Sequence, residues 1–284
     1  IGVALQIVAV LVAAWMLTYP LQTSDQPNLA AAVRGSVVLK EVDDVAPPWL
    51  RSVPRRLSAL LDTSGLPDVL QPFGRTPIVA VDAPDAALAA DPVIAATRPS
   101  VVKIRGVAPG CQKVLEGTGF VVAPQRVMSN AHVVAGAESA TVEVDGRTYD
   151  AYVVSYDPQA DISILDVPDL ESTPLQFAQG EAATGTDAVV MGYPGGGDFV
   201  ATPARIRETI ELNGPDIYRS TTVTRQVYTI RGSARQGNSG GPMIDRSGQV
   251  LGVVFGAAVD DADTGFVLTA EEVSRQLDNF NSTE

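Results

Sequence analysis

Gly237-Asn238-Ser239-Gly240-Gly241-Pro242 decides how the rest of the chain is read. A serine set among glycines lies in a loop whose backbone can turn sharply and aim N–H groups inward. Acyl transfer needs such a loop: the hydroxyl attacks a carbonyl, and nearby N–H groups hold the oxyanion that forms. The N–H groups of Gly237 and Ser239 are the expected oxyanion donors.

A hydroxyl is a weak nucleophile at neutral pH and needs a base. The chain has one histidine, His132, within Met128-Ser129-Asn130-Ala131-His132-Val133-Val134. An ordinary imidazole, with a pKa of about 6.5, accepts and returns a proton under mild conditions. A carboxylate should orient it, and Asp157, Asp161 and Asp166 are candidates. Asp157 precedes a proline and reads as a turn residue. Asp166 follows the apolar run Ile162–Leu165 and suits a solvated strand end. Asp161 stands at the start of that run, where its side chain can reach a cleft, and is the preferred partner. One histidine and one cysteine cannot assemble a zinc ligand set, so neither a metal nor a cofactor is expected. β-type sequence follows the serine motif, unlike the strand-to-helix setting of an α/β-hydrolase elbow.

Outward from these blocks, short β-branched runs recur from residue 92 onward. They include Val101–Ile104, Gly119–Val122, Thr141–Val144, Ala151–Val154 and Ile162–Leu165. Further runs are Ala188–Met191, Gln226–Ile230, Pro242–Ile244 and Val250–Phe255. Turn pairs such as Asp145-Gly146 and Ser247-Gly248 separate several of them. Many short strands without alternating long helices predict an all-β fold of barrels or sandwiches. Thr269–Phe280 is the exception and reads as a closing C-terminal helix, with Val273, Leu277 and Phe280 on one face.

Before residue 92 the texture differs. Ile1–Tyr19 carry no charge, and a run near 20 residues suffices to span a bilayer. Residues 1–20 are therefore read as a transmembrane helix in preference to a signal core or a buried helix. Asp25 follows the span, and no Lys or Arg appears until Arg34, which places the downstream part outside the cytoplasm. Residues 21–91 form a juxtamembrane segment and linker. Within it, 51–61 has the spacing of an amphipathic helix, lying on lipid or packed on the downstream domain. Pro72, Pro77 and Pro84 interrupt the Ala- and Asp-rich stretch 71–91. The 284 residues carry a net charge of −13, which argues against a nucleic-acid partner. Cys111 is the sole cysteine, and it is either an idle thiol or one whose partner lies outside this sequence.

Three blocks in order then carry a resemblance. They are Gly117-Thr118-Gly119-Phe120-Val121-Val122 leading to Ser129-Asn130-Ala131-His132-Val133-Val134, Asp157-Pro158 followed by Asp161-Ile162-Ser163-Ile164-Leu165, and Gly237–Pro242. Residues 92–284 resemble the chymotrypsin-fold serine proteases, trypsin-like and closest to the HtrA branch. The whole layout is similar to a narrower group, the actinobacterial membrane-anchored proteases of the MarP type, in which a colicin V production-type membrane domain precedes a linker and a periplasmic protease. The resemblance implies that residues 1–20 are the last span of a larger N-terminal membrane domain, and it implies two six-stranded barrels, with His132 and Asp161 from the first and Ser239 from the second. It implies a specificity pocket lined by Ser233, Ala234, Arg235, Gln236, Val254, Phe255 and Gly256. Ser233 stands where a trypsin-like enzyme has an acidic residue, which speaks against strict cleavage after Lys or Arg. Phe255 is expected to narrow the pocket or stack on substrate. Cys111 matches the first cysteine of the group's disulfide, whose second would lie beyond Glu284.

These readings predict a membrane-anchored extracytoplasmic serine endopeptidase acting on cell-envelope proteins, in a family associated with acid and oxidative stress tolerance. The alternative is a catalytically silent sensor or binding module on the same scaffold. A degenerate protease would be expected to lack a triad member, and none is lacking here.

Overall fold

The runs and turns of the sequence become twelve strands in two closed six-stranded antiparallel barrels. The computed structural model describes residues 78–108, 113–232, 234–258, 261 and 263–281. The first barrel contains β1 (Val101–Ala108), β2 (Lys113–Ala123), β3 (Arg126–Ser129), β4 (Ser139–Val144), β5 (Arg147–Asp157) and β6 (Ile162–Asp166). Their order around the barrel is β1-β2-β3-β6-β5-β4. The second contains β7 (Asp187–Gly192), β8 (Val200–Pro215), β9 (Thr222–Arg231), β10 (Pro242–Ile244), β11 (Val250–Ala257) and β12 (Thr264–Thr269). It closes in the order β10-β11-β12-β9-β8-β7.

Side-chain alternation along the strands builds separate cores. Val102, Ile104, Val121, Val127, Val142 and Leu165 belong to one cluster from the first barrel. Val190, Ile206, Tyr228, Ile230, Met243 and Val254 do the same for the second. A third cluster joins both barrels, bringing Phe120, Met128 and Ile164 together with Met191, Val253 and Phe266. The predicted Asp145-Gly146 turn links β4 to β5, with φ of 49° and 75°. Both central residues are left-handed, as a two-residue hairpin turn requires.

Among the described residues two α-helices frame the barrels. Helix α1 (Pro92–Thr97) starts with Asp91 accepting from Val93 N at 3.0 Å and with proline in its first turn. Helix α2 (Ala270–Asn281) is the predicted closing helix, and Val273 on it is buried in the shared core. Thr269 Oγ1 accepts from Glu272 N at 3.2 Å at its start.

Residues 78–91, expected as linker, run along the second barrel. Arg207 Nη1 donates to the Val79 carbonyl at 3.0 Å, and Arg231 Nη1 to that of Val81 at 2.8 Å. Asp85 caps a 3-10 turn (Ala86–Ala90), from which Leu88 enters the shared core at 1% exposure. Leu88 and these two arginine bonds together dock the segment. Leu88→Ala is accordingly expected to lower unfolding stability by about 2–4 kcal/mol, measured by denaturant titration of the full chain. A loss below about 0.5 kcal/mol would mean that the segment is not docked.

The expected span 1–20, the amphipathic stretch 51–61, residues 71–77 of the linker and Cys111 lie outside the described residues. Among the described residues no helix is long and apolar enough to cross a membrane.

Candidate active site

The serine loop connects β9 to β10 and is clamped between the barrels. Gly237 has φ +89°, and a Cβ there would stand 2.4 Å from the Tyr193 carbonyl oxygen. Only glycine fits so close an approach in that conformation. Thr118 of β2 holds the loop twice: its N–H donates to the Ser239 carbonyl at 2.9 Å and its Oγ1 to the Gly237 carbonyl at 2.6 Å. Neither the Gly237 nor the Ser239 N–H donates to a backbone carbonyl among the described residues. Such donors suit a developing oxyanion. Gly237→Ala is expected to lower kcat about 100- to 1,000-fold by displacing one donor, with KM less affected. Steady-state kinetics on a peptide amide checks it, and an unchanged kcat would exclude Gly237 from the oxyanion site.

His132 stands on a 3-10 turn (Ala131–Val133) that directly follows Asn130. Asn130 Nδ2 donates to the Asp161 carbonyl at 2.8 Å, and Ser163 Oγ to the Asn130 carbonyl at 3.1 Å. These bonds fix the histidine turn against the Asp161 turn. The Asp161 carboxylate, 1% exposed, accepts from His132 N at 2.9 Å through Oδ1 and bonds His132 Nδ1 at 2.8 Å through Oδ2. A carboxylate only accepts, so Nδ1 carries the proton and the Nε2 lone pair is left free to act as a base. His132 Nε2 and Ser239 Oγ are both buried and make no hydrogen bond. Nucleophile–base bonds of this kind often form only with substrate bound.

Asp161 has φ +57°, a left-handed conformation that a short polar residue tolerates. The other carboxylates do what their positions suggested. Asp157 Oδ1 accepts from Gln159 N and Ala160 N at 2.8 and 2.9 Å, making the turn. Asp166 pairs with Arg126 at the barrel surface.

Arg225 of β9 crosses to this turn, its Nε donating to the Gln159 carbonyl at 2.7 Å. Burial pushes its pKa down, and the nearby Asp161 carboxylate is the first of the acidic groups opposing that shift. No local signal in the sequence marked Arg225. Thr118 and Asn130 lay inside quoted motifs without an assigned role, and spacing alone could not give them one.

The expected pocket residues are brought together only in part. Ala234 is buried against Gly265, where a Cβ would stand 2.8 Å from its own. Arg235 is exposed, Gln236 is partly buried, and the Gln236 carbonyl accepts from Gly195 N at 2.8 Å. Gly256 is buried. Val254 points into the second barrel's core. Phe255 departs from the expectation of a ring facing the cleft: it is 2% exposed and packs edge-on to Phe266 at 6.4 Å. Alternation along β11 places it in the shared core, opposite to Val254. Ser233 lies outside the described residues.

Two six-stranded barrels, with the Gly240 backbone packed against Ser129 and Asn130 just ahead of the His132 turn, are the architecture of the trypsin-like peptidases, and a model of the trypsin-like peptidase domain matches residues 117–253. Over its whole length the chain is 63% identical to the serine protease Rv3671c of Mycobacterium tuberculosis H37Rv, spanning 72% of that protein. The crystal structure of the active form of the Rv3671c protease superimposes with a TM-score of 0.70 at 65% identity, covering 74% of this chain and 92% of the other. The inactive form gives 0.66 at 60% identity, covering 71% and 99%. The chain belongs to the serine proteases as a homologue of Rv3671c, with a trypsin-like peptidase domain.

Proposed function

We propose that the protein is a membrane-anchored endopeptidase that cleaves cell-envelope proteins outside the cytoplasm through Ser239, His132 and Asp161. The two-bond latch of Asp161 on His132, together with a buried Ser239 hydroxyl that has no hydrogen-bond partner among the described residues, carries this reading. Ser239 Oγ attacks the scissile carbonyl carbon while His132 Nε2 takes its proton. Asp161 stabilises the imidazolium, and the Gly237 and Ser239 N–H groups hold the oxyanion. Collapse breaks the C–N bond, and Nε2 returns the proton to the leaving amine. Water, deprotonated by the same nitrogen, then attacks the acyl carbon, the bond to Ser239 Oγ breaks, and Nε2 returns the proton to Oγ. The charge-free run Ile1–Tyr19 and the late first basic residue, Arg34, support the anchor and its orientation. The role in acid and oxidative stress rests on the family resemblance.

Fluorophosphonate labelling of the full chain, with the adduct located by mass spectrometry, tests the site. The expected adduct is on Ser239 in the parent and is lost in His132→Ala. Absence of an adduct at any pH, with or without reductant, would leave a binding scaffold.

A further inference from the structure

We propose that Glu116 selects a basic side chain within the first two residues on the leaving-group side of the scissile bond. The proposal deepens the reading of Ser239 and His132 above and rests on it. Glu116 and Thr118 are two apart on β2 and so face the same way. The Thr118 side chain meets the oxyanion loop at the Gly237 carbonyl and accepts from Tyr193 N at 3.0 Å. One step along, the Glu116 carboxylate lies over Gly196: a Cβ there would stand 2.1 Å from Oε2 and 2.5 Å from Cδ. The turn beneath touches the nucleophile loop directly, with Pro194 Cα 3.0 Å from a Cβ built on Gly237. Glu116 is thus separated from the oxyanion donors by one turn of backbone.

The direction of the substrate follows from the chemistry. His132 returns its proton to the leaving nitrogen, so the departing segment lies on the His132 side of Ser239. β2 passes through that side: a Cβ on Gly117 would meet Val133, next to His132, at 2.6 Å and the Ser239 carbonyl at 3.2 Å. An extended substrate advances about 3.3 Å per residue, so two residues cover the same length as the step from Thr118 to Glu116. Glu116 is exposed and faces Arg105 in the strand register, yet no ion pair holds it among the described residues. A carboxylate set against a side-chain-free turn at the edge of the cleft is suited to a Lys or Arg of the substrate.

The experiment uses the full chain carrying Ser239→Ala, which separates binding from turnover. Labelled peptides are built on a cleavage site mapped with the parent enzyme, with Lys, Ala or Glu at the first or second position after the scissile bond. Fluorescence anisotropy gives the Kd of each. The Lys peptide is expected to bind about fivefold tighter than the Glu peptide, the size of a partly screened ion pair. Adding Glu116→Gln should level the preference, and Glu116→Lys should reverse it. The ratio is taken within one variant, so the folded fraction cancels. An identical Lys-to-Glu ratio in all variants overturns the proposal. Cleavage of the peptides by the Ser239→Ala chain, seen by mass spectrometry, would instead sink the assignment of Ser239 and leave the binding result standing.

Discussion

Replacing Ser239 with alanine is expected to lower kcat by about a million-fold while the fold survives, since a triad member acts as part of a unit. The change removes one oxygen, and that oxygen makes no hydrogen bond in the free protein. The bonds that position the loop come from the backbone: the Ser239 carbonyl on Thr118, and Gly240 N–H on the Val254 carbonyl at 2.8 Å. Both persist in the variant, so stability should change by less than about 0.5–1 kcal/mol. A residual rate above the uncatalysed reaction, from the oxyanion donors and substrate binding alone, is compatible with the scheme. The measurement is single-turnover hydrolysis of a mapped peptide beside a thermal melt of the same sample. Hydrolysis at the parent rate with an unchanged melt would mean that another group is the nucleophile.

The second large effect belongs to Asp161→Asn, for which kcat should fall about 10,000-fold with little change in KM. Asp161 accepts two hydrogen bonds from one residue, at the His132 backbone N–H and at Nδ1. A side-chain amide has one acceptor oxygen and one donor nitrogen, so it cannot serve both. If the oxygen keeps the backbone N–H, the NH2 group faces Nδ1 and forces the proton onto Nε2. That tautomer cannot take the Ser239 proton. Asparagine tolerates the left-handed backbone that this position requires, so misfolding does not confuse the result. A fall of less than tenfold would show that the carboxylate does not set the tautomer.

The motif blocks located the reacting groups because chemistry at those positions admits few residue types. The strands were legible wherever β-branched residues ran together, and three were not. β3 (Arg126–Ser129) is short and opens on a charge. β8 (Val200–Pro215) holds Pro203, Arg205, Arg207, Glu208, Glu211 and Asn213, and a bulge between Ile206 and Glu208 breaks its alternation. β12 (Thr264–Thr269) is buried along its whole length and shows no period of two. The docking of residues 78–91 on the second barrel was not legible, because it involves the distant Arg207 and Arg231 as well as Leu88, which no local pattern reports. Phe255 was misplaced because a sequence gives the strand but not the side of it that faces the cleft.

Division of the fold into two closed barrels has a practical reach. Each barrel is continuous in sequence, and the stretch 168–186 between β6 and β7 contributes no strand to either. A closed barrel has no free strand edge to donate, so halves severed there would rejoin through the apolar cluster that they share and through bonds that cross between them, such as those of Thr118 to the serine loop and of Arg225 to Gln159. One half would carry the base and the other the nucleophile. Peptide hydrolysis would then report the meeting of two separate polypeptides, making the scaffold a split reporter whose signal is its own turnover.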